Sequence, residues 1–318
     1  MAVLLRQQVE PSNSPLPESS LKHRVIRPKH YGQWVTAGIV LVALALLGEA
    51  LFTNPNIDHH TVLKYLVNGA ILSGLKVTIE LSLLAEAIGL VFGLVLALAR
   101  ISHNAVLSKV SWLYIWFFRG TPLLVQILFW GNFALLFRHL DLGIPDTHLI
   151  FLSVRTNAVI TSFVAATLAL GLNEAAYQAE VYRGGLLAVD PGQIAAARSL
   201  GMTKWQVNRH VVLPQALPAV LPPTGNQFIS LLKASSLVSV IAGGDLLSQA
   251  ENIYSTNYKT IELLIVASFW YIVLTSVTYV GQHYLEKRAN RDRNDSTNSG
   301  VKGNRWRQLF LQTETASN

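Results

Sequence analysis

The sequence predicts an all-α integral membrane protein with about six transmembrane helices. Three observations carry that prediction. Of 318 residues, 51% are hydrophobic and only 14% are charged, against about 25% charged in a soluble domain, and the mean hydropathy is +0.37. Six stretches approach the roughly 20 apolar residues that a bilayer core of about 30 Å demands. The cations are also unevenly spread between the segments those stretches separate.

The first stretch, 34–52, is free of Lys, Arg and Asp, and the last, 261–284, carries no charge from Leu263 to Gln282. The second, 71–99, holds Lys76, Glu80 and Glu86 in its first half and only Ala, Leu, Val, Gly, Phe and Ile in the bulk of its second. The third is expected at 122–137, with Thr121 as cap and Pro122 as first residue. The fourth lies near 158–181. The fifth, 212–242, contains Pro214, Pro218, Pro222 and Pro223 and is expected to be broken by them, which is tolerated where other helices or a watery cavity satisfy the freed backbone.

With the N-terminus placed in the cytoplasm, the inside segments hold 19 of the 25 Lys and Arg and the outside loops hold four. The positive-inside rule therefore predicts that both termini are cytoplasmic. The net charge of +7 is explained by those basic inside segments, so nucleic-acid binding is not needed to account for it. A reading of the first span as a cleaved signal peptide is disfavoured by the 33 residues that precede it. Segments 1–33 and 289–318 read as polar cytoplasmic tails.

Catalytic signatures are missing. There is no cysteine, which excludes thiolate chemistry and cysteine metal sites. No Walker-type phosphate loop, HExxH pair or nucleophile elbow occurs. His59 and His60 are adjacent and do not share a helix face, so they are read as polar loop residues.

The loop after the fourth span has a clear local grammar. Asp190 followed by Pro191 is a helix start. Residues 194–200 are Ala-rich and favour helix. Gly201 sits where a helix end takes a left-handed residue, and Thr203 with Gln206 fits a capping box. The segment 190–213 therefore reads as helix, glycine turn, helix.

That loop resembles the cytoplasmic permease loop of bacterial ABC importers, whose pattern is Glu-Ala-Ala, three residues, Gly, nine residues, Ile, any residue, Leu-Pro. Ala196-Ala197, Gly201 and Leu213-Pro214 fall at the matching positions. Ala195 stands in the glutamate slot and Val211 in the isoleucine slot, so a salt bridge made through that glutamate is absent. Phe118-Arg119-Gly120-Thr121-Pro122 and the residues that follow, Ala179-Glu180-Val181-Tyr182-Arg183-Gly184-Gly185, and Leu221-Pro222-Pro223 with Gly225-Asn226-Gln227-Phe228 are similar to the polar amino acid permeases of the histidine, glutamine and arginine type. The resemblance covers about 66–288.

It implies a five-helix ABC importer permease core over 66–288, preceded by one extra span at 34–52, in the bacterial inner membrane. It implies that this chain translocates a polar amino acid and binds no cofactor, while ATP and Mg are used by a partner ATPase. The implied partners are ABC ATPase subunits, an extracytoplasmic amino-acid-binding protein, a second permease copy or a related permease, and membrane lipid. Gln193, Ala196, Ala197, Arg198, Leu200, Gly201, Leu213 and Pro214 are the implied ATPase-coupling residues.

Charges inside a span cost roughly 2.5–3.5 kcal/mol each and mark functional sites by default. Glu80, Glu86 and Lys233 are therefore candidate pathway residues, and Asn226, Gln227, Ser230 and Ser236 join them as hydrogen-bonding side chains on the proline-rich fifth span, with interhelical hydrogen bonding as their rival reading. Lys76 and Glu80 are four apart and have the rival reading of a pair that neutralises itself. Gly89 and Gly93 read as a close helix-packing pair. A self-sufficient secondary transporter is the alternative function, and it would show symmetric halves with paired broken helices. Only one span carries the proline pattern.

Overall fold

A computed structural model describes residues 31–143 and 150–314, with side chains described for 35–50, 53–141 and 151–289. The expected 1–30 part of the N-terminal tail lies outside the described residues. Residues 31–57 belong to a first unit, built on α1 (Tyr31–Phe52).

The second unit starts at Asp58. A short helix α2 (His59–Leu66) leads into α3 (Gly69–Arg100), which is capped by Asn68 accepting from the Ala70 amide. Then follow α4 (Ala105–Gly120), α5 (Leu123–Gly131) and one turn, α6 (Phe133–Leu136). An antiparallel hairpin, β1 (His139–Gly143) with β2 (Ile150–Arg155), follows in the connection after α6. After the turn α7 (Thr156–Val159) comes α8 (Ser162–Leu187), capped by the Thr161 hydroxyl. The chain continues through α9 (Pro191–Ser199), α10 (Lys204–Val207) and α11 (Leu213–Ala234). It ends with α12 (Leu246–Asn257) and α13 (Thr260–Glu314).

α8 is the central helix, and α3 runs alongside it in the same direction. Gly171, Gly89 and Gly93 are where they meet: a Cβ on Gly171 would fall 2.9 Å from Ile88, and one on Gly93 would fall 2.7 Å from Gln178 Cβ. Glycine lets two helices approach this closely. The core around them is Leu81, Ala85, Ile127, Ala166, Ala169 and Leu170, closed by Leu231 and Val238. A second core joins Ile71 of α3 to Leu246, Ala250, Leu263 and Val266 of α12 and α13.

Two helices, Gly69–Arg100 and Thr260–Ala289, are long and apolar enough to cross a membrane, and four spans result if each bent pair is one. α8 is not among them. Its Asn173, Glu174 and Gln178 are buried, and a helix walled by other helices need not be apolar all round.

Two expectations are corrected by the backbone. The stretch 122–137 is not one straight span: α5 ends at Gly131 and meets α4 at 98°. Thr121 closes α4, its amide bonding to Phe117 O, and Pro122 occupies the cap position of α5 without a side-chain cap. The prolines do not break the fifth span either. α11 runs on through Pro218, Pro222 and Pro223: each proline loses a donor and crowds the carbonyl four residues back, a defect tolerated in a span whose neighbours satisfy the freed backbone groups. A 3₁₀ segment, Ser235–Ile241, extends it. The real break follows, where Ala242 at φ 52° and Gly244 at φ 80° turn the chain towards α12.

Candidate coupling element and membrane pathway

The 190–213 loop is assembled by its caps. Asp190 Oδ1 accepts from the Gly192 amide at 2.8 Å, and Pro191 opens α9. At the far end the Gly201 amide bonds to Arg198 O at 2.9 Å and the Met202 amide to Ala197 O at 3.2 Å. Gly201 has φ +80°, which suits glycine and strains any other residue. The capping box is closed in both directions: the Thr203 amide donates to Gln206 Oε1 at 2.8 Å and the Gln206 amide to Thr203 Oγ1 at 3.3 Å.

The chain then passes into α11 through one π turn, Asn208–Val212. Pro214 explains the wider turn, since it supplies no amide to the carbonyl four residues back and its ring crowds that carbonyl. The loop has a small core of its own: Val189, Ala197, Val207, Val212 and Ala216, flanked by Leu186, Ile194, Met202 and Val211. Gln215 Nε2 also donates to Gln193 Oε1 at 2.7 Å. α9 is thus fastened to the foot of α11.

The expected coupling residues divide by this core. Ala197 is 5% exposed and faces inward, so it packs the element and is not on its outer surface. Gln193 is exposed but tied to Gln215. Ala196, Arg198, Gly201, Leu213 and Pro214 are exposed, as is Ala195 in the glutamate slot. Leu200 is 83% exposed, and Trp205 on α10 is 68% exposed. Trp205 was not singled out by the sequence reading, although a tryptophan in a basic loop is itself a signal for contact.

The expected pathway residues are not gathered in one place. Lys76, exposed, pairs with the half-buried Glu80 at 3.7 Å. Lys233 is exposed on α11, and Ser236 donates to Lys233 O at 2.8 Å. Glu80, Lys233 and Ser236 line neither of the two clefts described next. Ser230 donates to Asn226 O at 2.9 Å, and Asn226 Oδ1 accepts from Gln282 Nε2 at 3.3 Å.

Two clefts take Gln227, Ser230 and Glu86. One of about 460 Å³ lies at the bend between α4 and α5 and collects Gln227 and Ser230 with Arg119, Asn173, Glu174 and Tyr177. There the Arg119 guanidinium sits 5.1 Å from the Tyr177 ring centroid, within cation–π range. The bend is held by Gln126, whose amide donates to Phe118 O at 3.0 Å and to Thr121 Oγ1 at 2.7 Å. Asn173 reaches across from α8 to Phe118 O at 3.0 Å and Gln126 Oε1 at 3.2 Å.

The other cleft, about 360 Å³, lies between α3, α11 and α13 and holds Glu86 with Thr224, Gln282 and Glu286. Gln178 links it to α8, donating to Glu86 Oε1 at 3.2 Å and accepting from the Thr224 hydroxyl at 3.2 Å. Asn173, Glu174 and Gln178 are absent from the candidates that the sequence offers. The rule that flagged Glu86, an ionisable group within an apolar run, applies to Glu174 equally. No cluster of three or more His, Cys, Asp or Glu able to hold a metal occurs among the described residues.

Comparison with known proteins gives these features a common setting. Residues 89–291 match the family described as "Binding-protein-dependent transport system inner membrane component". The arginine transport system permease protein ArgU of Corynebacterium glutamicum is 40% identical over 260 residues, 81% of this chain and 80% of its own. The glutamine transport system permease protein GlnP of Escherichia coli K12 is 34% identical over 218 residues, 69% of this chain and 92% of its own. The crystal structure of an amino acid ABC transporter with histidines superposes with a TM-score of 0.62 at 39% identity, covering 73% of this chain and 99% of that one. The MetNI methionine ABC transporter, at 22% identity and a TM-score of 0.54, shares the fold. On the strength of a match spanning most of its length, the chain belongs to the family of binding-protein-dependent transport system inner membrane components.

Proposed function

We propose that this chain is the membrane subunit of an ATP-driven importer that moves a polar amino acid across the bacterial cytoplasmic membrane. In this reading ATP and Mg are consumed by a partner ATPase, and this chain binds no cofactor. An extracytoplasmic binding protein delivers the amino acid, and a second permease subunit, identical or related, completes the pathway. Both termini are cytoplasmic, as the distribution of Lys and Arg favours.

The observation that carries the coupling part is the fastening of α9 to α11 through the loop's own core. Such an element transmits displacement without absorbing it. Leu200, Trp205 and Arg198 lie on its outer side and supply the apolar and cationic contacts typical of an interface centre. Closure of an ATPase pair against that surface tilts α11, which borders both clefts, and the pathway alternates its access.

The test is reconstitution with co-expressed ATPase and binding protein in liposomes. ATP-dependent uptake of a polar amino acid is expected from the wild type. Gly201→Pro, which cannot adopt the φ of +80°, should abolish both ATPase association and uptake while the chain still inserts. Uptake by this chain alone, without ATPase, would establish the secondary-transporter reading instead.

A further inference from the structure

Cations gather where the end of α3 meets α4, on the side that the spread of Lys and Arg assigns to the cytoplasm. Two adjoining clefts share Arg100 and Trp112 there. The first, about 530 Å³, is lined by Arg100, Ser108, Lys109, Trp112 and Leu113. The second, about 630 Å³, adds Trp116 and Arg119 of α4 with Glu180 and Arg183 of α8. Glu180 is spent on Arg183, 2.6 Å away. Arg100, Lys109 and Arg119 take part in none of the ion pairs among the described residues. The seam therefore holds three cations without a carboxylate of their own.

These cations are arranged on a built surface. Arg100 is half-buried; its Nη1 donates to the Ser108 hydroxyl at 3.2 Å, and that hydroxyl donates to Arg100 O at 2.9 Å. The guanidinium is held against the start of α4 with most of its five donors left for a guest. Lys109 and Arg119 are exposed. Between them Trp112 and Trp116 stack with ring centroids 6.2 Å apart, and tryptophan favours the headgroup level of a bilayer. α4 buries Ser111 and Ile115, while Val110, Leu113 and Phe117 are each half exposed or more.

An occupant of this seam has to bring negative charge to the cations and hydrocarbon to the apolar residues beside them. A soluble anion meets only the first demand. A second copy of this chain, packed through the same patch about a two-fold axis, sets like charges against each other. An anionic phospholipid meets both demands, and basic pockets between helices on the cytoplasmic side suit its headgroup.

We infer that the seam of α3, α4 and α8 is a binding site for an anionic phospholipid. Arg100 and Lys109 receive its phosphate, and Arg119 extends the cationic rim. Trp112 and Trp116 lie at the glycerol level, and the acyl chains run along Leu113 and Phe117. The inference uses the membrane setting of the family and the orientation proposed above, and no step of transport.

The experiment counts the lipids that the full-length chain retains in native mass spectrometry. The chain is released from detergent micelles doped with dioleoylphosphatidylglycerol or with dioleoylphosphatidylcholine, which has the same acyl chains and no net charge. The wild type should bind the anionic lipid at least about tenfold more tightly, a difference of about 1.4 kcal/mol. Arg100→Gln combined with Lys109→Gln should abolish that preference. Lys109→Gln alone deletes one exposed charge and should lower the preference about threefold or more, and Lys109→Arg should restore it. Lys64→Gln removes an exposed cation on α2, near the opposite end of α3, and should leave the preference unchanged. Unfolding temperatures in phosphatidylcholine micelles should match for all the variants.

Equal binding of the two lipids by the wild type overturns the proposal. So does a preference that survives the double substitution, or one lost equally in Lys64→Gln, which would reduce it to net charge. Displacement of the bound lipid by excess inorganic phosphate assigns the seam to a soluble anion and overturns the proposal as well. Loss of self-association in the double variant with lipid binding intact assigns the face to a second copy, and the proposal falls with it.

Discussion

Gly89 on α3 lies directly beneath Glu174 on α8: a Cβ added to the glycine would come within 2.6 Å of Glu174 Cγ and 3.1 Å of Glu174 Cβ. One turn along, Gly93 stands in the same relation to Gln178 Cβ at 2.7 Å, with Ala175 O and Ala179 N both at 3.1 Å. The two glycines set the separation of the helices, and the polar groups of α8 are packed against them. Overpacking costs about 1–3 kcal/mol at such sites. Gly93→Val should destabilise more than Gly89→Val, because backbone atoms obstruct the first and mainly a side chain the second. Gly184→Ala, where nothing lies within 4 Å, should be neutral or stabilising by up to about 1 kcal/mol. Unfolding of the detergent-purified chain measures all three, and equal losses at positions 93 and 184 would contradict the close packing.

The turn of the coupling loop separates shape from contact. Asp190→Ala removes the cap of α9 and should cost about 1 kcal/mol, seen as loosening of the loop in hydrogen exchange. Leu200→Ala and Trp205→Ala remove exposed side chains and should leave stability unchanged. Both should weaken association with the ATPase about tenfold or more if they occupy the centre of that interface. Association measured on purified components distinguishes them. Wild-type affinity in the double variant would place the contact elsewhere on the loop.

The contrast in what was legible follows the range of the forces involved. Asp190, Gly201, Thr203 and Gln206 are recognisable because each acts on backbone within three residues of itself. Glu86 is recognisable because an ionisable group in an apolar run is unusual wherever it ends up. The right-angled turn between α4 and α5 was not legible, since Asn173, some 50 residues away, helps to hold it. The continuity of α11 through three prolines was not legible either, because local rules see the missing donors and not the helices packed around them. The hairpin at 139–155 depends on cross-strand pairing between segments that local rules treat separately.

Asp58 caps α2 and also meets Lys259 at 3.4 Å. The Thr61 hydroxyl, the Thr61 amide and the Lys259 ammonium hold its carboxyl well below the usual range, at about 2. A depressed folded pKa gives stability that is present above the unfolded value of about 3.9 and lost as pH falls through about 2. The contact between α2 and α13 should therefore be indifferent to pH from 5 to 8 and weaken only on acidification below about 4. Titration of the Asp58 carboxyl resonance should give a midpoint near 2 in the wild type, shifted upward in Thr61→Val. A midpoint near 4 in both proteins would show that the cap is not formed.

The bend between α4 and α5 supplies the last prediction. Gln126 is 6% exposed and Asn173 is 8% exposed, and their amides satisfy one another and the carbonyl of Phe118. Removing one amide leaves the other buried without its partner, which costs about 1–3 kcal/mol. Removing both leaves fewer orphaned groups, so the losses should not add. Gln126→Leu and Asn173→Leu should each destabilise by that amount, and the double variant should fall short of their sum by about 1 kcal/mol or more. Strict additivity in a double-mutant cycle would mean that the two amides act independently, and the bend would then owe its angle to Pro122 and the surrounding core.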